Sequence, residues 1–183
     1  MSFNSGEKMI AKIRENAEEV EQTVGYKLNN GLARLEDEEE ACTRAKWAYL
    51  FAREIEGANI ERCEEAACKD PWGAYAFAKD IPRANIGKCQ EAACKDPEWA
   101  YYFAKDIPGA NIEKCCEAAC KDPALAWRFA DDFPENIERC EEMVCKDPFW
   151  AYQFAYYVKG ANIEKCKKVC KGTEYEFYKW PEE

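Results

Sequence analysis

Residues 84–109 read ANIGKCQEAACKDPEWAYYFAKDIPG, and residues 58–83 before them read ANIERCEEAACKDPWGAYAFAKDIPR. Residues 110–134 continue as ANIEKCCEAACKDPALAWRFADDFP and residues 135–160 as ENIERCEEMVCKDPFWAYQFAYYVKG. The pattern then fades in ANIEKCKKVCKG from Ala161. Successive copies start 26, 26 and 25 residues apart. A half-copy, CTRAKWAYLFAREIEG from Cys42, precedes them. A period this short and this regular decides the architecture before any other feature, because each copy is one supersecondary unit. It divides the chain into flank 1–40, array 41–171 and tail 172–183.

Each copy carries two helix starts. Asn59, Asn85, Asn111, Asn136 and Asn162 precede an Ile, where a side-chain oxygen can accept an orphan amide and begin a helix A. Asp70-Pro71, Asp96-Pro97, Asp122-Pro123 and Asp147-Pro148 set a capping Asp before a Pro at the first helical position, beginning a helix B. Pro82, Pro108 and Pro134, with Gly57, Gly109 and Gly160, mark where helix B stops. Helices of about ten residues are marginal alone and need neighbours. In helix B, Ala74, Phe77, Ala78 and Ile81 share one face at i, i+3, i+4, i+7 spacing, and Ala100, Phe103, Ala104 and Ile107 repeat it. The expected fold is all-α: a right-handed α-solenoid of about five helix-turn-helix repeats with an N-terminal capping helix and an aromatic C-terminal cap. The N-terminal helix rests on the stripe Ile10, Ile13, Ala17, Val20, Val24, with Asn4 and Glu7 offering a capping box; it covers the first repeat or serves a coiled-coil contact. Tyr175, Phe177, Tyr178 and Trp180 seal the other end.

The composition narrows the function classes. The 183 residues carry 26 Lys and Arg against 36 Asp and Glu, a net charge of −10, which argues against direct nucleic-acid binding. Hydrophobic residues at 48% fit a chain that buries a core rather than an acidic disordered one. No apolar run reaches the roughly 18 residues of a membrane span. The first 25 residues hold Glu, Lys and Arg instead of an apolar signal core, so a soluble, cytoplasmic protein is expected. Histidine is absent, which removes the commonest general base and metal ligand. There is no Gly-rich phosphate loop, G-x-S-x-G or H-E-x-x-H. No enzymatic activity and no resident cofactor or metal are expected.

The twelve cysteines fall into two columns, which repeat copying reduces to about two independent choices. The first is Cys63, Cys89, Cys115, Cys140, Cys166; the second is Cys42, Cys68, Cys94, Cys120, Cys145, Cys170. Cys116 stands outside both. On a helical wheel the two columns face opposite neighbours, which pairs Cys42 with Cys63, Cys68 with Cys89, Cys94 with Cys115, Cys120 with Cys140 and Cys145 with Cys166. Three uses stay open: reduced cysteine as a small buried hydrophobe, inter-repeat disulfides, or thiolate binding of Zn, Cu(I) or an iron–sulfur cluster. The C-x4-C spacing lacks the C-x2-C grip of zinc sites, and adjacent Cys115-Cys116 does not supply it.

Stacking turns a sequence position into a surface row. Tyr49, Tyr75, Tyr101, Trp127 and Tyr152 form one row beside Trp47, Trp99, Leu125 and Trp150, the second broken by Gly73. Glu54, Asp80, Asp106 and Asp132 form a carboxylate row at the end of helix B. The rings either pack between units or serve as binding anchors, and the carboxylates form a solvated face or steer a basic partner. A uniform acidic row does not read as catalytic, because acid–base pairs need unlike environments. Glu36-Asp37-Glu38-Glu39-Glu40 reads as a solvated helix start or turn, or as a cluster that attracts a basic partner.

AYAFAKDIPRANI from Ala74 and AYYFAKDIPGANI from Ala100 resemble the short AYxFAxxIxGANIxK tandem repeats of uncharacterised bacterial and phage proteins. The resemblance covers about 130 residues, implies paired-helix repeats, and brings no catalytic residue. Were the origin a phage, it would imply by analogy an acidic solenoid that blocks a host protein. Sel1-like repeats also bear cysteines, but with a longer unit and different spacing. The reading favoured by the sequence is a non-enzymatic scaffold for protein–protein interaction, with Tyr75, Tyr101, Trp127 and Tyr152 as anchors and Asp80, Asp106 and Asp132 steering a basic protein partner. One alternative is an acidic decoy for a nucleic-acid-binding site on a partner protein. The other is thiolate storage of several Cu(I) or Zn ions.

Overall fold

A computed structural model describes residues 23–181, which contain twelve α-helices and no strand. In chain order these are α1 Val24–Asn29, α2 Glu38–Ala41, α3 Ala45–Glu54, α4 Ile60–Ala67, α5 Pro71–Asp80, α6 Ile86–Ala93, α7 Pro97–Asp106, α8 Ile112–Ala119, α9 Pro123–Asp132, α10 Ile137–Val144, α11 Pro148–Tyr157 and α12 Ile163–Cys170. Short 3-10 turns lie at Leu35–Asp37, Pro134–Asn136 and Glu174–Phe177.

The caps follow from local chemistry. Asp70, Asp96, Asp122 and Asp147 each accept backbone amides of the first turn, with Pro at the start of the helix. Asn59, Asn85, Asn111 and Asn162 cap α4, α6, α8 and α12 at 3.0 to 3.1 Å. Asn136 departs from this role. The copy that contains it is one residue shorter, the turn tightens to a 3-10 helix, and its side chain makes no cap bond.

Each helix B packs most closely on the helix A that follows it, so the tight hairpins are α3/α4, α5/α6, α7/α8, α9/α10 and α11/α12. The B helices α3, α5, α7, α9 and α11 also pack in series, a two-layer helical solenoid. Its core is a column of five phenylalanines, Phe51, Phe77, Phe103, Phe129 and Phe154, all 0% exposed. Ala48, Ala74, Ala100, Ala126 and Ala151 beside them are equally buried, which lets the helices approach closely. Ala104 is buried, whereas Ala78 is only half-buried.

At the start of the array, Thr23 is extended and caps α1, which Val24 opens. Val24 is buried, and a Cβ on Gly25 would stand 2.6 Å from the Trp47 ring. Asp37, where a first-column cysteine would stand, is instead buried and bonded to Lys27 at 2.5 Å. Asn4, Glu7, Ile10, Ile13, Ala17 and Val20 lie outside the described residues. At the far end Tyr152 meets Tyr175, Tyr178 and Trp180 at centroid distances of 6.0, 5.3 and 5.3 Å. No described helix is long and apolar enough to cross a membrane.

Candidate functional site

The tyrosine row and the carboxylate row meet each other. Tyr49, Tyr75 and Tyr101 donate their hydroxyls to Asp80, Asp106 and Asp132, each 31 residues on and one repeat away. A cation four residues after each tyrosine completes the link. Lys79 Nζ lies 2.7 Å from both Tyr75 Oη and Asp106 Oδ2, and Lys105 Nζ lies 3.1 and 2.8 Å from Tyr101 Oη and Asp132 Oδ2. Arg53 donates to Tyr49 Oη at 2.5 Å and stands 3.9 Å from Asp80. Hydrogen bonds from Lys79 and Tyr75 hold the Asp106 carboxyl below its usual range. For Asp132, burial pushes upward but is outweighed by Lys105 and Tyr101. Burial and the facing carboxylate raise the phenols of Tyr75 and Tyr101. These groups tie neighbouring B helices together, and Tyr101 is only 3% exposed.

The A helices are linked by sulfur and by amides. Sγ–Sγ distances are 3.8 Å for Cys42–Cys63, 3.7 Å for Cys68–Cys89, 3.9 Å for Cys94–Cys115, 3.2 Å for Cys120–Cys140 and 3.8 Å for Cys145–Cys166. All twelve are free thiols. A disulfide would have to draw each pair to about 2.05 Å. Within the 68–89, 94–115 and 145–166 pairs, the shared hydrogen bond lowers the half-buried thiol and raises the buried one. Burial first, then the Cys42 thiol, pushes Cys63 up to about 12.

A second link escaped the sequence reading. Glu38, Glu64 and Glu141 each accept the backbone N–H of the next repeat's capping asparagine, Asn59, Asn85 and Asn162, at 2.6 Å. Gln90 accepts from Asn111 N at 3.0 Å and donates to Asn111 O at 2.7 Å. Glu64, Gln90 and Glu141 are buried, 4 to 6% exposed. Polar side chains on the inner side of an otherwise apolar helix face are the signal that marks them, because buried polar groups need partners.

One junction keeps the sulfur pair but loses the other two links. Between α8 and α10, Cys116 occupies the position of Glu64, Gln90 and Glu141, so the clamp on Asn136 is absent. Between α9 and α11, Trp127 replaces the tyrosine, Asp131 the cation and Tyr157 the carboxylate. Trp127 and Tyr157 meet edge to face at 6.0 Å. The Trp127 Nε1 is buried and has no acceptor among the described residues. Here the thiols gather into a trio: Cys116–Cys120 at 3.5 Å, Cys116–Cys140 at 3.8 Å and Cys120–Cys140 at 3.2 Å. All three are buried, Cys120 being 2% exposed and the others 0%.

The exposed aromatic residues gather at the C-terminal end of the array, while Leu32 and Leu35 are exposed at the other. Tyr156, Tyr157, Phe177 and Tyr178 are 51, 58, 86 and 45% exposed. A groove of about 580 Å³ runs along Tyr156, Tyr157, Gly160, Asn162 and Pro181. A second, of about 380 Å³, is lined by Lys167, Lys168, Lys171, Glu176 and Trp180. Residues 158–181 carry six Lys against three Glu in a chain of net charge −10. Lys159, Lys168, Lys171 and Lys179 make no ion pair among the described residues. Tyr152 is the member of the tyrosine row that borders this surface. No family model, no curated protein and no solved structure matches the chain, so what it does has to be argued from this geometry.

Proposed function

We propose that the chain is a non-enzymatic α-helical repeat scaffold that engages a protein partner through the aromatic, lysine-bearing end of its array. The observation that carries this reading is the clustering of Tyr156, Tyr157, Phe177 and Tyr178 with unpaired lysines at one end. Exposed aromatics grouped beside a groove are the usual material of interface hot spots. The partner is an acidic segment with apolar side chains: lysines supply complementary charge, and the two grooves accept the side chains. A basic partner fits less well, because Asp106 and Asp132 are already neutralised by Lys79 and Lys105. Tyr152 contributes to the surface, while Tyr75, Tyr101 and Trp127 hold the array rigid behind it.

Fluorescence anisotropy with a labelled peptide rich in Glu, Leu and Phe tests the reading. Binding should weaken as salt rises. It should fall about tenfold or more in Tyr157→Ala and in Lys168→Glu with Lys171→Glu, and stay unchanged in Asp106→Asn. Absence of binding, or equal binding by those variants, overturns the proposal.

A further inference from the structure

The thiol trio stands at the junction that lacks both the asparagine clamp and the Tyr–Asp–cation link, although Arg139 Nη1 still reaches Glu117 Oε1 at 3.4 Å. Four features coincide there: a turn one residue shorter, an asparagine that no longer caps, a Trp–Tyr contact in place of the Tyr–Asp–Lys link, and Cys116 in place of a buried Glu or Gln. With Cys116 at the place that Gln90 holds in the preceding repeat, three hydrogen bonds to the next repeat have no counterpart. In exchange, Cys116 adds a third sulfur to what is elsewhere a pair. Cys116 and Cys120 come from α8 and its C-terminus, and Cys140 from α10, so the group bridges two repeats. We propose that Cys116, Cys120 and Cys140 form a three-sulfur site for a single Cu(I) ion, which clips the third full repeat to the fourth.

Several observations select the ion. Sulfur-only coordination favours soft cations. Structural Zn(II) is almost always four-coordinate, and the cluster offers three donors, with no further Cys, Asp or Glu grouped with them among the described residues. Cu(I) is satisfied by three. A metal–sulfur bond of about 2.3 Å in a plane would set the sulfurs about 4.0 Å apart. The present spacings of 3.2, 3.5 and 3.8 Å need open by only a few tenths of an ångström on average. Binding releases the S–H protons to solvent, up to three per ion, with no change in the oxidation state of copper or sulfur. The missing clamps give the ion an entry path, since a junction with fewer cross-links opens more readily. This inference does not depend on the partner surface, which lies on different residues.

The test uses the full chain, reduced and anaerobic, titrated with Cu(I) against the chelator bathocuproine disulfonate. One Cu(I) per chain should be withheld from the chelator, with a thiolate-to-copper absorption band in the near ultraviolet, and the thermal midpoint should rise with loading. Cys116→Gln installs the residue that the preceding repeat uses at this place, so it should fold. It should lose both the withheld ion and the thermal shift, whereas Cys68→Ser should keep them. Cys120→Ser provides a second variant that should lose both. The proposal is overturned if no copper is withheld, or if Cys116→Gln withholds it as well. It is equally overturned if the site keeps one Zn(II) in preference to Cu(I), or if air-exposed protein yields a Cys116-dependent loss of about 2 Da with no metal bound.

Discussion

Tyr75 shows how one side chain in a repeat does two jobs. Its ring lies 5.3 Å from Trp99 in the next repeat, and its hydroxyl reaches Asp106 while Lys79 bridges both. The carboxyl of Asp106 sits below the ordinary value of 3.8 in the folded chain. The native state therefore binds fewer protons there than the unfolded chain. Its contribution to stability is present above pH 3.8 and is lost as pH falls through the lowered folded value. Asp106→Asn should have a modestly lower thermal midpoint than the parent at pH 7, and the gap should close as the pH is taken well below 3.8. Thermal scans at pH 7, 5, 4 and 3 read this directly; a constant gap would refute it. Both rows were legible in the sequence, but as separate rows. What joins them is the stagger of neighbouring B helices, which spacing within one copy does not report. The hidden clue is that Tyr, cation and Asp are retained together in three copies and lost together at Trp127, Asp131 and Tyr157.

The helices themselves were largely legible because their ends are written in short-range chemistry. An Asp before Pro and an Asn before Ile specify where a helix starts with little help from tertiary context. Asn136 is the exception that shows the limit of this logic. The shorter turn leaves one residue between Pro134 and Asn136, where Pro82 and Pro108 are followed by two before the asparagine, and the chain reaches Ile137 through a 3-10 turn in which the Asn136 side chain makes no cap bond. The two asparagines should therefore respond differently to the same change. Asn111→Ala should cost about 1 kcal/mol, whereas Asn136→Ala should stay within a few tenths of a kcal/mol in urea unfolding. Equal losses would mean that Asn136 does cap. The inter-repeat clamp by Glu64, Gln90 and Glu141 was not legible for a different reason. Their place on the apolar face signals a buried partner, but which group they meet is fixed only once the next repeat's backbone is in place to receive them.

Outside the Cys120–Cys140 junction, where the span is 20 residues, the links run fixed distances along the chain: 21 residues from Glu64 to Asn85, Gln90 to Asn111 and Cys68 to Cys89, and 31 from Tyr75 to Asp106. Contacts of this kind make the array close to one-dimensional, so stability adds repeat by repeat. Inserting a second copy of residues 84–109 after Gly109 should give a protein that folds and is more stable in urea than the parent, because one complete set of links is added and none is removed. A less stable or aggregated product would show that the ends, and not nearest neighbours, govern the fold. The thiol trio was the least legible feature. Cys116 is conspicuous as the odd cysteine, yet only the packing of α8 on α10 brings it to Cys120 and Cys140.

The 26-residue unit has a counterpart in the coding sequence. A unit of that length occupies a whole number of codons, so unequal exchange between neighbouring copies adds or removes one unit without disturbing the reading frame. Each new unit arrives already carrying its half of every bond it must make, a donor and an acceptor for each neighbour. The length of this protein is thus a quantity that heredity can adjust by counting, without redesigning a single contact.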